Sequence, residues 1–436
     1  MEATLTLIYA TLFCALVYKS RIFRAPGINA RTSLALFSLK LLAGFTLLLI
    51  YTFYYTDRAT ADIYKYFDDS LIIHELLFVD PWSYLQILLG INSESPHVLE
   101  ILDQLNYWYK PFESPLYNDN RTLIRFNILA RLFSFGSIGV HTVIMCFISY
   151  VGLLALYKFA VKYAKGKEKT LIFVVFLLPS VLFWGSGLLK EGILLFSLGI
   201  FLYACDQARS NGLNTKIILS ILFSVGLLLI SKIYIIIVAA PLVLAYCWSY
   251  NARFRTIILR YGIVVIGGLV VILNIHRIYP DLEVMRVLSQ KQANFMDVAA
   301  MTNANSVYAI PVLEPNVWSI VKSIPIGVAN VLFRPHLGEV DSIMMALAAL
   351  ENLMILFLIF LFLVFVKKKS PDWNFMFFCI GFVLMLYALI GMITPILGAV
   401  VRYKIPALPF LLIIFLVLFD QERFITRFPR FKFLER

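Results

Sequence analysis

Long apolar runs separated by short polar stretches dominate the pattern of this chain. A membrane-spanning helix needs about 20 predominantly apolar residues, and shorter ones are tolerated in bundles. Two stretches, 170–205 and 217–249, are too long for one span and are interrupted at Lys190-Glu191 and at Ser231-Lys232, so we interpret each as two helices. The candidate spans are about 3–18, 33–54, 136–157, 170–187, 191–205, 217–231, 233–249, 261–275, 343–366, 374–394 and 403–419. The pattern therefore predicts an all-α polytopic integral membrane protein with about 11 transmembrane helices, forming a single membrane domain over residues 1–436.

The composition indicates the same class of protein. Hydrophobic residues make up 61% of the 436 residues and charged residues only 15%, with a mean hydropathy of +0.84. A water-soluble domain is about half apolar and a quarter charged, so a soluble form of this chain would expose large apolar patches. A soluble enzyme and a disordered or nucleic-acid-binding chain are therefore excluded. The first apolar run has its positive charge after it and no small-residue cleavage site, so we interpret it as a retained span.

The distribution of Lys and Arg predicts the orientation in the membrane, because these residues are enriched in cytoplasmic loops. More than half of the 38 Lys and Arg residues fall in one set of alternating loops. These loops lie at about 19–31, 158–169, 209–216, 253–260, 367–369 and 423–436. The outer face then receives two long segments, about 55–135 and 276–342, in which we expect helices that lie in the membrane interface. The net charge of +12 is thus not a nucleic-acid signal.

The first outer segment contains a group of carboxylates shortly after the second span, within Asp62-Ile-Tyr-Lys-Tyr-Phe-Asp68-Asp69. If this stretch is helical, Asp62, Tyr66 and Asp69 share one face. A carboxylate at the membrane surface can act as a general base toward a sugar or lipid hydroxyl, or hold a divalent cation. The alternative is a solvated helix with a surface pair between Lys65 and Asp69.

Basic side chains on the outer face are predicted at or near helix ends, at the depth of a lipid phosphate. They are Lys190, Arg334, Arg402, Lys404, Arg121 and Arg125. Lys190 could grip a phosphate that Glu191 orients or protonates, and Arg334 has a side chain suited to bidentate phosphate contacts. Arg402 and Lys404 open the last predicted span, against the positive-inside rule. The alternative for each is a snorkelling anchor or a capping residue.

Together these features resemble the polytopic GT-C glycosyltransferases, which take sugars from polyprenyl-phosphate carriers on the outer face of the membrane. The resemblance rests on a long first outer loop with an early acid, here Asp62 with Asp68 and Asp69, and on a multi-span body of similar length. The last span also opens with RYKIPALPFLLI, which is similar to the Arg-Tyr-x-x-Pro-x-x-Pro pattern of that superfamily. An extra first span, and Asp57-Arg58 in place of the usual acid pair, depart from the pattern.

The resemblance implies a membrane glycosyltransferase that transfers a sugar from a polyprenyl-phosphate donor to a glycan, lipid or protein acceptor. The implied location is the inner (plasma) membrane of a bacterium, with the active site on the outer face. Asp62 or Asp69 would be the base, and the stretch Arg402-Tyr403-Lys404 would contact the carrier phosphate. No cofactor is assigned, although the carboxylates could hold a divalent cation.

Two alternatives stay open. One is a polysaccharide polymerase or ligase that uses lipid-diphosphate-linked glycans, and the other is a transporter or flippase of lipid-linked sugars. A transporter predicts charged or broken segments near the middle of the bilayer. In the sequence, Lys40 is the main basic residue well inside a predicted span. The other charges gather in loops and at helix ends, which favours chemistry at the membrane surface.

Overall fold

The computed structural model describes residues 2–55, 57–58, 61–109, 118–301, 304, 306–367 and 370–434. Within these ranges every regular element is helical, and extended pairing is limited to isolated bridges such as the one between Val307 and Ile396. The prediction of an all-helical chain is therefore confirmed.

The helices begin and end where local sequence allows. The side chain of Asn29 caps the helix that begins at Ala30 by accepting a hydrogen bond from the backbone N–H of Thr32. Asp372 caps the helix that begins at Trp373 by accepting one from the backbone N–H of Phe375. The helices of the first half are α1 (Glu2–Lys19), α2 (Ala30–Phe53), α3 (Asp62–Val79), α4 (Pro81–Leu89), α5 (Pro96–Leu102), α6 (Asn120–Ser134), α7 (Ile138–Ala160), α8 (Glu168–Ile172), α9 (Pro179–Trp184) and α10 (Lys190–Asn211). Those of the second half are α11 (Thr215–Ser231), α12 (Ile233–Trp248), α13 (Phe254–Asn274), α14 (Val284–Met301), α15 (Val317–Phe333), α16 (Ile343–Val364), α17 (Trp373–Ile393), α18 (Leu397–Tyr403), α19 (Leu408–Leu418) and α20 (Gln421–Arg427).

Seven helices in the described ranges are long and apolar enough to cross a membrane. They are α1, α2, α7 with its following turn, α10, α13 with its following turn, α16 and α17. The helices α18 and α19 make an eighth span if they count as one span that is bent by 60°. The chain is thus a membrane protein with seven to eight candidate spans, and the predicted count of about eleven is not confirmed.

The difference in count comes from stretches that are apolar but form short helices. The predicted span over 170–187 is divided into α8, a π-helical turn (Phe173–Leu177) and α9, and α9 begins at Pro179, which cannot donate a backbone hydrogen bond. The helices α11 and α12 have 17 and 16 residues, which is less than the roughly 20 that a straight span needs. The break between them falls at Lys232, as the sequence predicted.

The described residues divide into two compact units. Unit 1 comprises Met1–Leu156, Leu182–Phe201 and Ser220–Ile233, and unit 2 comprises Tyr157–Val181, Leu202–Leu219 and Tyr234–Arg436. In unit 1, α7 and α10 cross at Gly152 and Gly199, where a Cβ on Gly199 would overlap the carbonyl group of Gly152. This crossing therefore requires small residues, as close helix contacts in membranes generally do.

The first outer segment folds in unit 1 into α3 to α6, as expected for a segment rich in apolar helices. A buried arginine, Arg131 on α6, joins two of these helices. Its Nε donates to Ser70 Oγ at 2.7 Å, its Nη2 donates to the carbonyl oxygen of Phe67 at 2.6 Å, and its guanidinium carbon lies 4.1 Å from the centre of the Phe67 ring. These contacts fix α3, and with it the predicted acids, against α6.

A second buried charge network lies in unit 2 at the predicted cytoplasmic side. The carboxylate of Asp206 accepts from Lys162 Nζ at 2.6 Å, from Arg209 Nη2 at 2.9 Å and from the hydroxyl of Tyr246 at 2.8 Å. The guanidinium carbon of Arg209 lies 4.4 Å from the ring centre of Tyr246 and 4.6 Å from that of Tyr250. One carboxylate therefore compensates two cations at this point.

Candidate functional site

A group of buried charges on the predicted outer side lies in unit 1 around Asp119, just before α6. Asp119 is only 4% exposed. Its Oδ1 lies 2.8 Å from Nζ of Lys190, at the start of α10, and its Oδ2 lies 2.8 Å from Nζ of Lys232, directly after α11. A buried carboxylate is tolerated here because ammonium groups compensate its charge. We call Asp119, Lys190 and Lys232 the aspartate–lysine cluster.

The aspartate–lysine cluster extends to α3 through Asn120. The side-chain oxygen of Asn120 accepts from Lys190 Nζ at 2.7 Å and from the hydroxyl of Tyr66 at 3.1 Å. The Lys190 ammonium also lies 5.3 Å from the centre of the Tyr66 ring, within the range of a cation–π contact. Asp62 is four residues before Tyr66 on α3, so both lie on the same helix face. The structure thus places one predicted acid a single helical turn from the residue that contacts the cluster.

The three predicted acids of α3 have different surroundings. Asp69 is 1% exposed, and its two oxygens accept from the backbone N–H groups of Asn106 at 3.1 Å and Tyr107 at 2.8 Å. Burial raises the pKa of the Asp69 carboxyl, and these two hydrogen bonds oppose that shift. Asp68 forms a bidentate pair with Arg58, at 2.9 Å from Nε and 2.7 Å from Nη2.

Asp62 is partly exposed and has Lys65 Nζ at 3.7 Å. The surface pair that the sequence suggested as an alternative, between Lys65 and Asp69, is therefore replaced by one between Lys65 and Asp62. The reason is that the carboxylate of Asp69 points to the backbone of Asn106 and Tyr107. Of the three acids, Asp62 is the one that is partly exposed and also lies on the same face of α3 as Tyr66.

The predicted hairpin tip at Lys190 and Glu191 forms the first turn of α10. Both residues are withdrawn from the surface: Glu191 is 2% exposed and the Lys190 side chain 12%. Lys190 is therefore a member of a buried cluster and not a snorkelling side chain, because Asp119 and Asn120 accept its hydrogen bonds inside the protein.

Two further predicted cations, Arg121 and Arg125 on α6, pack on the buried ring of Trp108. Each guanidinium carbon lies 5.3 Å from the centre of that ring. Arg121 Nε donates to the carbonyl oxygen of Trp108 at 3.3 Å, and Arg125 Nε donates to that of Ile87 at 3.0 Å. Burial lowers the pKa of the Arg125 guanidinium to about 10. These arginines hold in place the segment whose N–H groups bind Asp69.

In unit 2 the predicted cation Lys404 is buried, at 3% exposure. Its Nζ donates to Asn352 Oδ1 at 3.0 Å and to the carbonyl oxygens of Arg334 at 3.1 Å and Val331 at 3.4 Å. A lysine ammonium has three hydrogens to donate, and protein oxygens account for all three. Lys404 therefore fastens the end of α15 and does not present its charge at the surface.

Arg334 itself is partly exposed and directly follows α15, in the second predicted outer segment. Its Nη1 is 2.7 Å from Glu339 Oε1, and its guanidinium carbon lies 4.7 Å from the centre of the Tyr308 ring. Tyr308 is fixed by its backbone N–H, which donates to the carbonyl oxygen of Pro395 at 2.9 Å, and by its hydroxyl, which donates to that of Thr394 at 2.9 Å. The second outer segment thus attaches to the end of α17.

The sequence predicted that Arg402 and Tyr403 stand at the start of the last membrane span, but the structure does not place them at the start of a helix. They form the last turn of α18, and the chain then bends before α19 begins at Leu408. Pro406 lies in the bend and has no N–H with which to continue the helical hydrogen-bond ladder. Pro409 lies in the first turn of α19, where proline is tolerated. The Tyr403 ring lies 6.5 Å from that of Tyr234 and 6.2 Å from that of Phe295, between ring centres.

Sequence reasoning did not single out several buried polar residues. In the sequence, Asp119 is one of many acids in the first predicted outer segment, and Lys232 marks only an interruption between two apolar stretches. Glu351 lies within α16 at 6% exposure, where its carboxylate accepts from the backbone N–H of Ser180 at 2.8 Å. A charge inside an apolar run was the available signal for Lys232 and Glu351.

Among the described residues, no group of three or more His, Cys, Asp or Glu side chains is arranged to hold a metal ion. No protein-family model, no curated protein and no solved structure matches this chain.

Proposed function

We propose that this protein is a membrane glycosyltransferase that moves a sugar from a polyprenyl-phosphate carrier to an acceptor on the outer face of the membrane, in the manner of the GT-C superfamily. One observation carries the proposal. In unit 1 the aspartate–lysine cluster lies beside Tyr66, one helical turn from Asp62. A base for a hydroxyl group and cations for a phosphate are the groups that this reaction needs.

The proposed step is a direct displacement at the anomeric carbon of the donor sugar. The carboxylate of Asp62 takes the proton of an acceptor hydroxyl, and that oxygen forms the new bond to the anomeric carbon. The bond from this carbon to the phosphate oxygen breaks, and the electron pair leaves with the polyprenyl phosphate. Lys190 and Lys232 stabilise the leaving group, since fixed cations act most strongly where negative charge develops.

Asp119 has a supporting part in this proposal. It holds two ammonium groups next to each other, an arrangement that would be repulsive without a shared carboxylate. The contact of Arg402 with the carrier phosphate, which the resemblance implies, is a separate element of the proposal, and Arg402→Ala tests it. The inner membrane of a bacterium is the proposed location.

The test is a transfer assay with the full chain in lipid nanodiscs. Radiolabelled polyprenyl-phosphate monosaccharides are the donors, extracted native membranes supply the acceptor, and both labelled product and released polyprenyl phosphate are measured. We expect Asp62→Asn to lower transfer by at least about 100-fold, as for loss of a general base, and Arg402→Ala to lower it strongly. Asp103→Asn, an exposed acid of the same outer segment, is the matched control. Wild-type transfer by Asp62→Asn, Asp69→Asn and Arg402→Ala alike would overturn the proposal.

A transporter of lipid-linked sugars is the second candidate, and a specific observation favours it. Lys40 on α2 and Glu351 on α16 are buried, at 1% and 6% exposure, near the middle of apolar helices. Charges at that depth often mark a transport path. Proteoliposomes with a fluorescent lipid-linked sugar distinguish the two functions: a transporter moves the intact lipid between leaflets, whereas a glycosyltransferase consumes it without accelerating that movement.

A further inference from the structure

The part of the chain that follows α19 alternates basic and aromatic side chains. Residues 423–434 contain four basic residues and no acidic one. The helix α20 ends at Arg427, and a 3₁₀-helical turn follows it (Pro429–Leu434). Three cations and three phenylalanines are exposed along this turn and its junction with α20, namely Arg427, Phe428, Arg430, Phe431, Lys432 and Phe433. We call these six residues the basic–aromatic surface.

The segment that carries this surface is tied to the rest of unit 2. Lys169 Nζ, on α8, donates to the carbonyl oxygen of Phe433 at 2.7 Å. The ring of Phe424, which is buried, has its centre 5.2 Å from that of Phe428 and 5.2 Å from that of Phe431. The basic–aromatic surface is thus preorganised, which lowers the cost of binding a ligand there.

The position of this surface relative to the membrane follows from α16, a candidate span of 22 residues that ends at Val364. The next residue, Phe365, has its ring centre 5.4 Å from that of Phe424 and 6.2 Å from that of Phe428. Its carbonyl oxygen accepts from the backbone N–H of Asp420 at 2.6 Å. An apolar helix of this length ends where the hydrocarbon region of the bilayer ends. The basic–aromatic surface therefore lies at the depth of the lipid headgroups, on the predicted cytoplasmic side.

The cations of this surface have no negative partner among the described residues. Within that part of the chain, Arg427, Arg430 and Lys432 form no ion pair. The three phenylalanine rings beside them are between 42% and 65% exposed. A soluble anion would pair with the cations but leave these rings in water. A phospholipid presents a phosphate next to acyl chains, so it accounts for the cations and the rings together.

We infer that the basic–aromatic surface binds anionic phospholipid of the cytoplasmic leaflet. The cations contact the lipid phosphates, as clusters of Lys and Arg beside a membrane span do. The phenylalanine rings lie at the boundary between headgroups and acyl chains. Bound lipid then holds the ends of α16 and α19 at the membrane surface. The inference goes beyond the proposed glycosyl transfer and uses no residue of the candidate site in unit 1, so the two proposals can fail separately.

The test measures lipid binding by the full chain. Protein in uncharged detergent is titrated with dioleoylphosphatidylglycerol, which is anionic, or with zwitterionic dioleoylphosphatidylcholine, and native mass spectrometry counts the bound lipids. Each Lys or Arg near an anionic surface strengthens binding about fivefold. We therefore expect the triple variant Arg427→Gln, Arg430→Gln and Lys432→Gln to bind the anionic lipid at least about 20-fold more weakly. Arg427→Lys with Arg430→Lys keeps the charge and should stay within about threefold of the wild type. Phe433→Ser should also weaken binding, because it removes the most exposed of the three rings.

The matched control is the triple variant Lys19→Gln, Arg21→Gln and Arg255→Gln. It removes the same charge from exposed residues on the same predicted side of the membrane and should change binding by less than about twofold. Equal weakening by the two triple variants would indicate general charge attraction and overturn the inference, and equal binding of the two lipids by the wild type would do the same.

Two further results would give the surface a different ligand and so overturn the inference. Glycerol 3-phosphate that binds the wild type as tightly as the anionic lipid would assign the cations to a soluble anion. Displacement of the lipid by an equal concentration of oligouridylate would assign the surface to nucleic acid. Thermal unfolding shows whether each variant is folded. The comparisons between ligands use the wild-type chain, so they decide the question even where a variant fails to fold.

Discussion

Replacing Asp206 by asparagine should destabilise unit 2 more than any other change in its charge network. The substitution keeps the shape of the side chain but removes the negative charge that compensates Lys162 and Arg209. The side chain of Arg209 is 8% exposed and stays dehydrated, whereas that of Lys162 is 34% exposed and can regain water. Removing one partner of a buried ion pair costs about 3–5 kcal/mol. Since one of the two cations is partly hydrated, we expect about 3 kcal/mol.

The same geometry predicts an order for the partners. Arg209→Met leaves Asp206 paired with Lys162 and should cost less, about 2 kcal/mol. Lys162→Met should cost about 1 kcal/mol, because the lysine is partly exposed. Tyr246→Phe removes one hydrogen bond to the carboxylate and should also cost about 1 kcal/mol.

The free energy of unfolding is measured by titrating micelle-solubilised protein with SDS and recording far-ultraviolet circular dichroism. Glu422→Gln, an exposed acid of the same unit, is the control and should leave the midpoint unchanged. The double variant Asp206→Asn with Arg209→Met should be less destabilised than the sum of the single variants, because it removes the uncompensated cation. If Asp206→Asn unfolds within about 0.5 kcal/mol of the wild type, the assignment of a buried, charge-compensating carboxylate is wrong.

Three further predictions concern unit 1. Asp119→Asn should lower sugar transfer as severely as Lys232→Met, because either change disrupts the pair of ammonium groups. A Lys232→Met variant with full transfer in the nanodisc assay would exclude Lys232 from the site. Gly199→Leu should abolish the close crossing of α7 and α10 and cost more than about 2 kcal/mol in the SDS titration, as overpacking does, whereas Gly226→Leu, at a position open to its surroundings, should be tolerated. Hydrogen bonds from Ser83 and His97 lower the pKa of Asp80 to about 2. The stability that Asp80 contributes is therefore present above its unfolded pKa of about 3.9 and is lost as the pH falls toward 2. Asp80→Asn should show a weaker acid unfolding transition between those pH values, and an unchanged transition would contradict this.

The candidate site shows where sequence reasoning succeeded and where it stopped. The breaks near Lys190 and Lys232 follow from local pattern, and the structure contains them. The structure also contains a helix over Asp62 to Asp69, which the sequence considered only as a condition. The different surroundings of Asp62 and Asp69 depend on the segment at 106–107, which reaches one of them and not the other. No spacing within α3 contains that information.

The sequence by itself determined that this is an all-helical membrane protein and where most of its long apolar helices lie, because hydrophobicity accumulates residue by residue along a run. Only the tertiary structure decided that Asp119 pairs with Lys190 and Lys232, and that the Lys404 ammonium donates its hydrogen bonds to oxygens inside the protein. Ion pairs and hydrogen bonds act over a few ångströms between segments that are far apart in the chain. Their partners are therefore set by how the helices pack, and a single sequence does not contain the packing in readable form.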